Sequence, residues 1–147
     1  MFNSLLVPLD GSPYSEGALA LALELARLSG ARVALITVVL AYKDAHVPAV
    51  AKQEEQTRKR AEAYLAPFVE QGRAAGFEVS GRVGHGDPAE EIVRAAEEDD
   101  IDVIVMSTHG MGAAGRHALG SVALKVLQTA WRPVIMIPIE ASSPPRP

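Results

Sequence analysis

Met106-Ser107-Thr108-His109-Gly110-Met111-Gly112-Ala113-Ala114-Gly115-Arg116-His117-Ala118-Leu119-Gly120-Ser121-Val122 reads as the end of a strand, a glycine-rich loop and the start of a helix. The apolar run Val103 to Met106 precedes the loop, and Leu119, Val122, Ala123, Val126, Leu127 and Ala130 trace one helical face after it. Glycines at such a junction let backbone N–H groups approach a ligand. The first helical turn adds unpaired donors and the positive end of a dipole. The guest such a loop suits is a phosphate.

The rest of the chain supplies matching units. Leu5-Leu6-Val7, punctuated by Pro8 and Gly11, has the pattern of a strand buried on both faces. Ser12-Pro13 then offers an N-cap followed by proline at the first helical position, and Gly30 marks the stop of that helix. Val33 to Leu40 is a second apolar, β-branched run, expected to be a central strand. Residues 41–51 carry a poor signal and are expected to be loop with an undefined helix start. Ala61, Tyr64, Leu65 and Phe68 form an apolar helical face, within which Pro67 predicts a kink or a break.

Phe77, Val79, Gly81 and Val83 alternate with polar residues, as in an edge strand with one wet face. Asp87-Pro88-Ala89-Glu90 opens a third helix in the manner of a capping box, with Ala89, Ile92, Val93 and Ala96 on its buried side. Val134 to Ile137 is the fifth strand. Five strands alternating with four helices imply an α/β three-layer sandwich with a parallel sheet covered on both faces. Ligands in such sheets bind beyond the carboxyl ends of the strands, where the winding reverses. If the first and fourth strands flank that point, Asp10 and the glycine loop share one crevice. Residues 1–140 are expected to form one domain, and the Ser/Pro-rich residues 141–147 a disordered tail.

Composition narrows the function classes. A net charge of −4 argues against a duplex-binding protein, which presents a basic footprint. The absence of cysteine excludes disulfides, thiolate metal sites and thiol catalysis. The first residues lack a basic cluster, the following apolar run ends at Asp10, and Glu24 and Arg27 interrupt the stretch from Ala18 to Leu28. Neither a signal peptide nor a bilayer span is expected, and the reading is a soluble cytoplasmic protein.

Gly110, Gly112 and Gly115 spell G-x-G-x-x-G, the dinucleotide fingerprint, but they follow the fourth strand instead of the first. About twenty residues further on, where an acidic residue holds the ribose, the chain is the apolar Val134 to Ile137. An NAD- or FAD-binding domain is therefore the weaker reading. No Gly-x-x-x-x-Gly-Lys-Ser/Thr occurs, which excludes a P-loop. Asp10 as a phosphate-accepting aspartate is disfavoured because no second carboxylate adjoins it.

A different spacing in the same loop is more informative. Ser107, Gly110, Gly120 and Ser121 form Ser-x-x-Gly-(nine residues)-Gly-Ser, which resembles the G-x2-G-x9-G-[S/T] nucleotide loop of the universal stress proteins. Leu6-Val7-Pro8-Leu9-Asp10-Gly11-Ser12 resembles that family's opening strand and turn. Gly86-Asp87-Pro88-Ala89-Glu90-Glu91-Ile92 resembles its third helix start, and Arg132-Pro133-Val134-Ile135-Met136-Ile137 its closing strand. The likeness covers residues 5 to about 139 in the expected order. It implies an adenine-nucleotide alpha-hydrolase-like fold with strand order 3-2-1-4-5.

The resemblance also implies a site. In ATP-binding members, the residues matching Pro8, Leu9 and Asp10 line the adenosine end, and the one matching Val38 packs on the adenine. Those matching Met106, Ser107, His109, Gly110, Gly120, Ser121 and Val122 surround the ribose and phosphates. The implied ligand is ATP, or ADP or AMP, with Mg2+ as a companion of the longer forms. Ser107 stands where the family has its first motif glycine, so its Cβ and hydroxyl either crowd the ligand or bond to it. Met111 stands where a basic residue is frequent, leaving Arg116 as the nearest cation and implying weaker affinity or a shorter nucleotide. Family dimers imply a homodimer through Val134, Ile135, Met136 and Ile137, an apolar strand that needs cover at a sheet edge.

The remaining conspicuous residues have plain readings. Glu54 and Glu55 are placed to pair with Arg58 and Lys59, making Arg58-Lys59-Arg60 a solvated helix face. Glu97 to Asp100 lacks the ligand spacing of a calcium loop, and His85 and His117 are isolated from other metal ligands. Trp131 is expected to cap the core or an interface. No nucleophile stands beside a base, so the expectation is a regulatory protein of stress response with at most slow ATP hydrolysis, and not an enzyme. A nucleotide-independent interaction protein is the alternative.

Overall fold

A computed structural model describes residues 2–110 and 119–138. The elements run β1 (Ser4–Pro8), α1 (Pro13–Ser29), β2 (Arg32–Val39), α2 (Pro48–Ala74), β3 (Val79–His85), α3 (Pro88–Glu98), β4 (Val103–Ser107), α4 (Ser121–Thr129) and β5 (Val134–Ile137). The strands form one sheet in the order β3-β2-β1-β4-β5, and all neighbours are parallel. Both the topology and the three layers match the expectation.

Strand pleating divides the core. Leu5 and Val7 of β1, with Val103 and Val105 of β4, pack under α1 and α2 in one apolar cluster. Leu6, Ile104 and Met106 point to the other face, where Ile92, Ala96, Ala123 and Val126 of α3 and α4 cover them. Because β1 pairs with β2 on one side and β4 on the other, its carboxyl end opens at the place where the winding reverses.

Local chemistry accounts for the helix ends. Ser12 Oγ accepts the Ser15 N–H at 3.2 Å to open α1, and Gly30, with φ of 73°, closes it. Asp87 Oδ2 accepts the Glu90 N–H at 3.0 Å to open α3, while the Glu90 carboxylate turns to Lys125 on α4. In α2, Gly72 lets β3 approach, since a Cβ there would lie 2.6 Å from Val79 Cγ2.

Several expectations need correction. The helix after β2 begins at Pro48, inside the segment read as loop, and it runs through Pro67 to Ala74 without a break. Leu65, fully packed on the core, and the edge-to-face pair Tyr64–Phe68, with centroids 5.3 Å apart, hold the flanking turns on the sheet. That packing outweighs the roughly 3 kcal/mol a mid-helix proline costs. α4 starts at Ser121, so Leu119 precedes it, and Leu127 is exposed instead of buried. Trp131 is 87% exposed, so of its two expected places, the core or an interface, the core is excluded. Arg58 pairs with Glu55 and Glu62, whereas Glu54 reaches His85 Nε2 at 2.7 Å, so the basic run is a solvated face with different partners. Arg116 and residues 141–147 lie outside the described residues.

Candidate functional site

A cavity of about 450 Å³ opens beyond the carboxyl ends of β1, β2 and β4. Its floor begins at the turn after β1. The Leu9 N–H donates to Ile36 O at 2.8 Å, and Thr37 Oγ1 donates to Leu9 O at 2.9 Å, tying the turn to β2. Asp10 Oδ1 accepts the Ser12 N–H at 2.9 Å, and the Asp10 N–H donates to Ser15 Oγ at 3.2 Å. Gly11, at φ of 84°, supplies the left-handed residue the turn requires. Pro8, Leu9 and Asp10 thus reach the cavity as a rigid corner.

The opposite wall is the segment after β4. The Thr108 N–H donates to Ile137 O at 3.0 Å, and Thr108 O accepts the Gly120 N–H at 2.8 Å, closing residues 108 and 120 on each other. Ser107 is buried, and its hydroxyl donates to His109 O at 2.5 Å. Its side chain is thus bonded within the loop, while the residue also lines the cavity. His109 is also buried, with Nδ1 2.9 Å from Thr108 Oγ1, while its Nε2 has no partner among the described residues. A Cβ on Gly110 would meet Asp10 Oδ2, and one on Gly120 would lie 3.2 Å from Thr108 O.

Gly120 is the N-cap of α4 and provides no side-chain acceptor, so no cap side chain occupies the first-turn N–H groups where Ser121, Val122 and Ala123 line the cavity. The other end is apolar, formed by Ile36 and Val38 of β2 and by Pro88 and Ile92 of α3. The arrangement suits a ligand with a flat apolar part and an anionic part.

Of the residues singled out from the sequence, Pro8, Leu9, Asp10, Val38, Met106, Ser107, His109, Gly110, Gly120, Ser121 and Val122 all line this one cavity. Arg116 falls outside the described residues. Sequence reading missed Ser15, Ile36, Pro88, Ile92, Thr108, Leu119 and Ala123. Pro88 and Ile92 carried a signal, being the cavity-facing start of a capped helix, but only the placement of α3 beside β2 makes them lining residues.

Nearby ionisable groups are held by specific partners. Burial, then the hydrogen bond to Glu16 Oε1 at 2.9 Å, raises the Tyr64 phenol well above its ordinary range. The Glu90 N–H, then Lys125, holds the Asp87 carboxyl below the usual value, and Asp87 raises Lys125 in turn. Among the described residues no helix is long and apolar enough to cross a membrane.

Comparison with known proteins agrees with this architecture. The model of the "Universal stress protein family" matches residues 1–138. A universal stress protein of Thermus aquaticus is 35% identical over 146 residues, spanning 93% of this chain and 99% of its own length. Among solved structures, protein MJ0577 of Methanocaldococcus jannaschii superposes with a TM-score of 0.81 at 26% identity, over 93% of this chain and 96% of that one. A universal stress protein in complex with cAMP gives 0.71 at 25% identity, over 92% and 97% of the two chains. One from Archaeoglobus fulgidus in complex with dAMP gives 0.60 at 26%, over 93% and 98%. The strand order is that of the adenine-nucleotide alpha-hydrolase-like fold these structures share. On the match of nearly its whole length, this chain belongs to the universal stress protein family.

Proposed function

We propose that this protein binds an adenine nucleotide, ATP or a shorter form, in the cavity between β1 and β4, and that the nucleotide acts as a regulatory ligand in a cytoplasmic stress response. The observation that carries the reading is the cavity's two-ended chemistry: apolar walls at Val38 and Ile36, and an α4 N-terminus without a side-chain cap beside Gly110 and Gly120. The structures in complex with cAMP and dAMP support an adenine base with a phosphate as the ligand class. Adenine stacks on the apolar end and phosphate takes the N–H groups of the first turn of α4. Mg2+ accompanies a triphosphate. Hydrolysis is at most slow, and the protein works as a homodimer through Val134, Ile135, Met136 and Ile137, whose outer edge at β5 is unpaired within the described residues.

Among the described lining residues the one ionised side chain is Asp10. The complexes with cAMP and dAMP each hold a single phosphate, so a monophosphate is the second reading. Calorimetric titration with ATP, ADP and AMP, with and without Mg2+, ranks the two. Saturable binding of any one of them supports the site. Absence of heat with all three points to a nucleotide-independent interaction protein, and preference for NAD or FAD to a dinucleotide domain.

A further inference from the structure

Two helices form the wall of the cavity opposite α1, and one ammonium group joins their N-terminal ends. Lys125 Nζ, on the second turn of α4, lies 3.0 Å from Asp87 Oδ2 and 3.3 Å from Glu90 Oε1 on α3. The same Asp87 oxygen accepts the Glu90 N–H at 3.0 Å and caps α3. α3 contributes Pro88 and Ile92 to the apolar end of the cavity, and α4 contributes Ser121, Val122 and Ala123 to the anion end.

Beneath this bridge the two helices meet through Ile92, Ala96, Ala123 and Val126. Such contacts are non-directional and three of the four residues are small or β-branched without a protruding end, so they resist sliding weakly. The charged hydrogen bonds are directional and tie Lys125 to the capped start of α3, next to the lining residue Pro88. We propose that Lys125 is a positioning residue of the ligand site, holding the α3 wall and the α4 N-terminus at the separation that one two-ended ligand spans. This rests on the nucleotide reading above and deepens it. The ammonium acts through Asp87 and Glu90 and does not line the cavity.

The side chains of Lys125, Asp87 and Glu90 are 43%, 42% and 69% exposed, so the bridge is wet and open to salt. It therefore contributes little to global stability, and its effect on affinity can be read separately. Met has a helix propensity like that of Lys, so Lys125→Met removes the charge without disturbing α4.

The test compares wild type, Lys125→Met and Lys125→Arg by calorimetry, using adenosine and whichever of ATP and AMP wild type binds more tightly. Lys125→Met is expected to weaken the nucleotide about three- to fivefold at low salt, the range an exposed ion pair supplies. It leaves adenosine, which lacks the anionic end, within about twofold. The nucleotide difference fades below about twofold at ~0.5 M salt, and Lys125→Arg restores binding to within about twofold. Unchanged nucleotide affinity in Lys125→Met overturns the proposal while leaving nucleotide binding intact. Equal loss of both ligands with a lowered melting temperature also overturns it, since that is a purely structural effect. Failure of wild type to bind either nucleotide overturns the proposed function and this inference with it.

Discussion

Gly110 and Asp10 are in contact across the crevice: a Cβ built on Gly110 would run into Asp10 Oδ2. The two residues follow β4 and β1, one hundred positions apart in the chain and neighbours only because those strands pair. The contact brings a carboxylate and a bare stretch of backbone to one side of the cavity.

Gly110→Ala must displace the Asp10 carboxylate, which is the far end of an exposed side chain. The expected outcome is a change in stability of no more than about 1 kcal/mol, with adenine-nucleotide affinity reduced about tenfold or more. Urea denaturation and calorimetric titration measure the two separately. Wild-type affinity in this variant would show that the corner is not part of the site.

Ser107→Gly removes the hydroxyl that donates to His109 O at 2.5 Å and loosens the backbone. A buried hydrogen bond and a glycine in place of a side chain together predict a loss of about 1–2 kcal/mol in stability. Because the hydroxyl is engaged by the loop, nucleotide affinity should change by no more than about threefold. A large gain in affinity would mean that the Ser107 side chain obstructs the ligand.

Gly72→Ala places a methyl group 2.6 Å from Val79 Cγ2 at the junction of α2 and β3. Overpacking there is expected to destabilise the fold by about 1–3 kcal/mol, visible as a lowered urea midpoint. An unchanged or raised midpoint would show that β3 shifts freely.

Asp87→Ala should show a pH-dependent loss of stability. The native Asp87 carboxyl is held below its ordinary value of 3.8, so its contribution is present above that value and disappears as pH falls through the lower native one. The difference in melting temperature between wild type and variant is therefore largest near neutrality and shrinks below the ordinary aspartate range. A difference that grows on acidification contradicts the assignment.

Trp131 is 87% exposed, beside an edge strand whose Val134, Ile135 and Met136 are half-buried. If β5 forms the dimer, Ile135→Lys should yield a monomer in sedimentation at micromolar concentration, because edge lysines oppose strand pairing. Indole fluorescence reports the same event, with emission shifting to longer wavelength on dissociation. A wild-type protein that sediments as a monomer removes the basis for this prediction.

Much of the architecture was legible in the sequence because it depends on local rules. The Ser12-Pro13 and Asp87-Pro88 starts, the Gly30 stop and the continuous apolar runs at 5–7, 33–40 and 103–106 report caps and strands directly. Pro67 misled because its local penalty is overcome by the burial of Leu65 and its neighbours, which no window of sequence displays. Leu127 departs for the opposite reason: it shares the helical period of α4 but lies on its exposed flank, because hydrophobicity alone does not fix burial.

The site divides in the same way. The sequence by itself determined the glycine spacing and the corner Pro8-Leu9-Asp10, because each is a short backbone device encoded by neighbouring residues. Only the tertiary structure decided that Pro88 and Ile92 share the cavity with them, that the Ser107 hydroxyl turns to His109 O, and that Lys125 reaches Asp87. Those depend on how α3 and α4 lie against the parallel sheet and against each other, which residues far apart in the chain decide together and no single window of sequence displays.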